Sequence, residues 1–118
     1  MRIESEILLT TIQDACVAIN AFVDGTDFAA FTINDMIRSG VYFKFVMIGE
    51  ALTKLKTLDE TVFDAIHESW RIVGFRNQIV HGYADIRDEI TWRVIEQKLP
   101  RLKQDVDRLL RDGESSEV

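Results

Sequence analysis

Apolar residues recur along nearly the whole chain at the three-and-four spacing of an α-helix, and no stretch alternates with the period of two that a strand requires. Leu8, Ile12, Ala15, Ile19 and Phe22 mark one face of a first helix. Asp24-Gly25 should end it, because glycine reaches positive φ without steric cost. A short loop holding Phe28 and Phe31 follows, and Thr32-Ile33-Asn34-Asp35 has the pattern of a helix N-cap. The second predicted helix carries Ile37, Val41, Phe45, Ile48, Leu52 and Leu55 on one stripe. Thr57-Leu58-Asp59-Glu60 signals another cap and opens a shorter third helix, and a fourth is predicted from about Glu68 to His81. Gly82 to Arg87 reads as a turn, with Asp85 placed to cap a last helix striped by Ile95, Leu99, Leu102, Val106 and Leu109. Pro100 has no N–H to donate and should kink that helix or mark a restart.

A chain of 118 residues has room for one domain around one core, so residues 1–118 read as a single unit with a polar tail from about 112, fraying over Glu114–Val118. Short connections between long helices favour an all-α, antiparallel, up-and-down bundle of four to five helices. The second predicted helix also carries Tyr42, Phe43, Val46 and Met47 outside its core stripe. A helix apolar nearly all round must be covered on more than one side. In so small a bundle a second copy of the chain is the simplest cover, so a homodimer is expected.

Several classes are disfavoured. The longest apolar stretches are broken by charges such as Lys44 and Glu50, so no segment is expected to approach the roughly 20 residues needed to cross a bilayer. Acids at Glu4 and Glu6 stand where a secretion signal would have basic residues, which points to the cytoplasm. A single cysteine, Cys16, has no partner for a disulfide and no companions at metal-ligand spacing; it reads as an inert packing residue, and no metal or cofactor is expected. The formal net charge of −6 argues against an anionic partner, yet the distribution is uneven. Residues 71–111 hold 9 Lys and Arg against 6 Asp and Glu, whereas residues 1–70 hold 5 against 11.

The chemistry-bearing residues gather in Arg76-Asn77-Gln78-Ile79-Val80-His81-Gly82-Tyr83. At 100° per residue Ile72, Val73, Phe75, Ile79 and Val80 form an apolar arc, and Arg76 falls in its middle. A guanidinium cannot shed its proton, so burying it calls for an acid or a site that holds anions. Asn77 and His81, four apart, share an adjacent face. Glu50, on the second apolar face of its helix after Phe43, Val46 and Met47, is the obvious internal partner for Arg76. Two readings remain open on these residues alone: a structural ion pair with His81 as a satisfied core histidine, or a phosphate site.

The stretch Trp70 to Tyr83 resembles the signature of the HepT-like proteins of the HEPN superfamily, whose core is an arginine, four residues, a histidine, one residue and a tyrosine. Ile48-Gly49-Glu50-Ala51 is similar to a recurrent segment of that family, as are Trp92-Arg93 and Leu99-Pro100, and the likeness spans about residues 7–110. Phe75 and Gln78 depart from the pattern without removing a polar group from it. The resemblance implies a homodimer with the motif at its cleft, a metal-independent endoribonuclease toxin acting on RNA, and a minimal nucleotidyltransferase antitoxin that adds AMP to the motif tyrosine, here Tyr83.

Metal-free RNA cleavage needs a base for the 2′-OH proton, an acid for the leaving 5′-oxygen and a cation for the crowded phosphorane. Histidine titrates near neutrality and can serve as either base or acid, and arginine's planar fork suits phosphate oxygens. His81 and Arg76 are therefore the expected catalytic pair, with Asn77 orienting and Glu50 supporting Arg76. His67, the other histidine of the chain, would lie about 20 Å away along the axis if the third and fourth helices were continuous, so two imidazoles would require two subunits. The competing class is a non-catalytic helical subunit that binds such a nucleotidyltransferase, with Arg76 and His81 kept for structure.

Overall fold

The structure, a computed structural model, describes residues 1–116. It is all-helical, with no strand among the described residues. The helices are α1 (Ile3–Val23), α2 (Phe28–Ile33), α3 (Asp35–Leu58), α4 (Glu60–Asp64), α5 (Ser69–Gly82), α6 (Asp88–Gln97) and α7 (Leu99–Ser116), with a single 3-10 turn at Tyr83–Asp85 between α5 and α6. The five predicted helices are present as α1, α3, the short α4, α5 and the α6–α7 pair, the last of them split in two. One short helix, α2, is added within the predicted loop.

Local chemistry sets most of the boundaries. Gly25 takes φ +72° just past the end of α1. Asp27 accepts the Ala30 N–H at 2.8 Å and so opens α2 within the stretch expected to be loop. Asn34 accepts the Ile37 N–H at 3.0 Å to start α3, and Asp59 accepts the Val62 N–H to start α4. Pro100 stands second in α7, where its missing N–H has no helical partner to lose, so it marks a restart after Lys98. Asp85 does not cap the last helix. It sits inside the 3-10 turn, and α6 begins after Arg87 with no side-chain cap. The tail expected to fray continues as helix to Ser116, while Glu117 and Val118 lie outside the described residues.

α3 is the central rod. α1 runs antiparallel along it, with Ser5 donating to the Asp59 carboxylate at 2.8 Å at one end and the Phe22 ring against Gly40 at the other. α5 flanks the opposite side, also antiparallel, through edge-on ring pairs Phe45–Phe75 and Tyr42–Tyr83. α7 closes on α1, where Gln13 donates to Asp107 at 2.7 Å. The core unites Leu9, Ile12, Ile19, Val41, Phe45, Ile48, Leu52, Leu55, Leu99, Leu102 and Val106. On α1 the fully buried leucine is Leu9 rather than Leu8, and Phe22 is 38% exposed at the helix end. Contrary to expectation, α1 is long and apolar enough to cross a membrane by length and composition, because its few acids leave an 18-residue window of mean hydropathy 1.4. Its Leu9, Ile12, Ala15, Cys16 and Ile19 are buried in the bundle. Burial pushes the Cys16 thiol up to about 12, which leaves it un-ionised and inert at neutral pH.

The start of α5 is fixed by two carboxylates. Asp105, buried on α7, accepts the His67 N–H at 2.9 Å and the guanidinium protons of Arg101 and Arg108. Burial alone would raise its carboxyl, but those three donors hold it below its ordinary value. Glu68, at φ +53° in the left-handed region, faces Lys98, Arg71 and His67, and the contact with Lys98 lowers its carboxyl most. Replacing Asp105 by alanine strands the His67 N–H, at a cost of about 1–3 kcal/mol. The melting temperature should fall by roughly 4–12 °C at pH 7. Because the folded value is depressed, Asp105 contributes fully above pH 3.8 and loses that contribution as pH drops through the folded value. Thermal melts of parent and Asp105→Ala should therefore converge in strong acid.

Candidate active site on α5

α5 presents three differently used sides. Ile72, Phe75 and Ile79 face the core and are buried. Arg76 lies at the seam with α3, where its stem crosses the backbone of Gly49: a Cβ on Gly49 would stand 2.3 Å from the arginine's Cβ and Cγ. Only glycine lets the two helices meet this way. The guanidinium then emerges beside α3 with its side chain 22% exposed. Nη1 donates to Asn77 Oδ1 at 2.9 Å, Nη2 stands 3.6 Å from Glu50 Oε1, and Nε is buried without a partner.

Glu50 is more than half exposed, so the pair is a rim contact rather than the expected buried one. The face of α3 that carries Glu50 is open in this chain: Phe43 is exposed, and Val46 and Met47 are only partly covered. Trp70, Val80 and Tyr83 are exposed on the α5 side.

On the other side of Asn77, an open cleft of about 550 Å³ runs between α5 and the start of α6. Asn77 and His81 both line it, with Gln78 and Gly82 from the same helix and Ile86 and Ile90 from beyond the turn. His81 is exposed, and its imidazole makes no hydrogen bond among the described residues. Arg76 does not reach this cleft. Asn77 is the residue common to both sides, bonded to the guanidinium while lining the imidazole's space.

Tyr83 opens the 3-10 turn just past Gly82, 55% exposed, with its ring edge-on to Tyr42 at 5.3 Å. Tyr42 is itself held by a 2.9 Å bond to Thr91. His67 sits at the far end of α5, half exposed against Glu68. Among the described residues no three His, Cys, Asp or Glu side chains come together in a way that could hold a metal ion.

The cleft's contribution from Asp85, Ile86 and Ile90 was not anticipated. Ile86, a branched aliphatic residue between Asp85 and Arg87, is the one signal that this turn folds back onto α5.

A family model described as HepT-like, "Ribonuclease HepT-like", matches residues 12–109. The chain belongs to the HepT-like ribonuclease family. Among curated proteins it is similar to "Putative RNase MJ1380" of Methanocaldococcus jannaschii, 29% identical over 87 residues that make up 73% of this chain and 78% of the relative. No solved structure matches the chain significantly. The matched range takes in α3 and α5 whole, and with them the Gly49–Arg76 crossing, Asn77, His81 and Tyr83.

That crossing makes two glycines respond in opposite ways. Alanine in place of an interior helical glycine ordinarily gains about 0.5–1 kcal/mol. At Gly74, where nothing lies within 4 Å of an added Cβ, the gain should be realised. At Gly49 the new methyl overlaps the first carbons of Arg76, which cannot swing away, and overpacking of this kind costs about 1–3 kcal/mol. Calorimetry should show Gly49→Ala melting below the parent and Gly74→Ala at or above it.

Proposed function

We propose that this HepT-like ribonuclease family member is a metal-independent endoribonuclease, cytoplasmic and homodimeric, acting as the toxin of a toxin–antitoxin pair. A minimal nucleotidyltransferase antitoxin silences it by adding AMP to Tyr83. The observation that carries this reading is the guanidinium of Arg76. Its stem is locked on Gly49 and Nη1 is fixed by Asn77, yet Nε has no partner, and the same helix bears an exposed, unbonded imidazole. A cation used only to tie α5 to α3 would satisfy its donors internally and would need neither His81 nor Tyr83.

In the proposed reaction the 2′-oxygen of the substrate attacks the adjacent phosphorus while one His81 takes its proton. The bond from phosphorus to the 5′-oxygen breaks, and a second, protonated His81 gives that oxygen its proton, leaving a 2′,3′-cyclic phosphate and a 5′-hydroxyl. Arg76 binds the non-bridging oxygens and gains contact as their charge grows. Asn77 sets the guanidinium and keeps the imidazole's side of the helix in register with it. Glu50 limits the swing of Arg76 from the rim.

The second imidazole comes from a second subunit, since His67 is at the opposite end of α5. The exposed Phe43, Trp70, Val80 and Tyr83 support pairing through the α3–α5 face. AMP on Tyr83 would bring a phosphate to the end of the helix that carries Arg76 and His81, where it competes with the substrate for the arginine.

The 3.6 Å contact of Arg76 with Glu50 favours a second reading, a non-catalytic subunit that docks a nucleotidyltransferase. Growth separates the two. Expressed alone, the protein should halt growth, whereas Arg76→Ala and His81→Ala should be harmless; an accessory subunit is tolerated in every form. In purified protein, His81→Ala should cut RNA roughly 10²–10⁴-fold more slowly, and Arg76→Ala about 10²–10³-fold more slowly. Cleavage by His81→Ala at the parent's rate overturns the assignment. Mass spectrometry of the toxin produced together with its antitoxin should find AMP on Tyr83 and none in Tyr83→Phe.

A further inference from the structure

The cleft beside His81 has more in it than cleavage requires. Its walls are mainly apolar, with Ile86 and Ile90 lining it from the turn and α6. Gly74 lines it from α5 and leaves open space where a side chain would stand, so a flat ring can lie against bare helix there. Besides Asn77, whose Oδ1 is taken by Arg76, two polar groups join the imidazole: the carboxamide of Gln78 and the carboxylate of Asp85, neither bonded to any described residue. At the rim the guanidinium of Arg87 is exposed and, among the described residues, pairs with Glu89 at 3.7 Å, a contact that solvent keeps weak.

A carboxylate accepts hydrogen bonds and donates none. It repels a phosphate, so the group that enters this end of the cleft carries N–H donors on an otherwise flat, apolar body. Unpaired nucleobases have that form, and proteins read single-stranded RNA by enclosing such bases and bonding their edges. We propose that the cleft seats the base next to the scissile phosphate, that Asp85 selects a base edge rich in donors, and that guanine fits best. Guanine presents N1–H and N2–H side by side, matching the two oxygens of a carboxylate, while Gln78 can donate to its O6. Uracil sets carbonyl oxygens on both sides of its one N–H, and these would face the negative charge. Arg87 is placed for the phosphate of the neighbouring nucleotide. The placement next to the cut rests on the nuclease reading; the base recognition does not.

The test is titration of guanosine 3′-monophosphate and uridine 3′-monophosphate into the intact protein, followed by calorimetry. Guanosine should bind about tenfold more tightly or better. Asp85→Asn, an exposed change in a turn that should fold normally, should abolish the difference, and Gly74→Trp should block both ligands. Equal affinity for the two nucleotides in the parent, a preference undiminished in Asp85→Asn, or unimpaired binding by Gly74→Trp would each overturn the assignment. A parent protein that discriminates the nucleotides as expected but cuts no RNA supports the base pocket and sinks the nuclease reading instead.

Discussion

The passage of the Arg76 stem over Gly49 is the contact on which the arrangement of this molecule depends. It fixes how closely α5 approaches α3, and the same approach seats Phe45 against Phe75 and Tyr42 against Tyr83 at ring distances of 5.1 and 5.3 Å. A flexible four-bond side chain ordinarily loses rotamer entropy when it is ordered. Here its first bonds are ordered as part of helix packing, so the guanidinium arrives positioned. What remains adjustable is only the fork, held from one side by Asn77 and from the other by the half-exposed Glu50.

A rigid seam at one end of α5 would be of little use if the other end could drift. The loop before α5 is tied to α7 through the buried Asp105, and Glu68 holds a left-handed backbone in a ring of cations. These ties lie far from His81, so substitutions there act on the site only by letting α5 shift. Exposed apolar side chains stand on the α3–α5 face at Phe43, Trp70, Val80 and Tyr83, as they do along α1 and at Ile33 and Met36. α5 adds Ile72, Phe75 and Ile79 to the core, and the surface beside Arg76 stays open around Glu50 and Phe43.

Much of this architecture was legible because its signals are local. Asn34 and Asp59 announce their helices through side-chain caps within three residues, and Pro100 announces a restart through its own missing donor. The six-residue α2 was hidden, since Phe28 and Phe31 span too few turns for a period to be counted. Asp85 misled for a related reason: an acid before a helical run resembles a cap, and only the path of the turn shows that it points elsewhere. At the site, spacing put Arg76 opposite Glu50, though as a buried pair rather than the exposed rim contact found, and the motif from Arg76 to Tyr83 stood out through its resemblance to the family. The closeness of Gly49 and the cleft lined by Ile86 and Ile90 could not be read in this way, because both depend on how separate helices dock.

The docking also explains why Asn77 stands between the other two polar residues. Arg76 lies against α3 and His81 lines the cleft toward α6, so the two approach the end of α5 from different sides. An RNA backbone engaged by both must cross the helix, and Asn77 occupies the crossing, bonded to the guanidinium on one side and lining the imidazole's space on the other. On the proposed path the phosphate charge would meet the arginine at the seam and stay clear of Asp85, whereas the base, with donors to offer, would turn into the cleft. An acidic protein can therefore accommodate a polyanion, provided its carboxylates lie where the ligand presents N–H groups and its cations lie where the ligand presents oxygens.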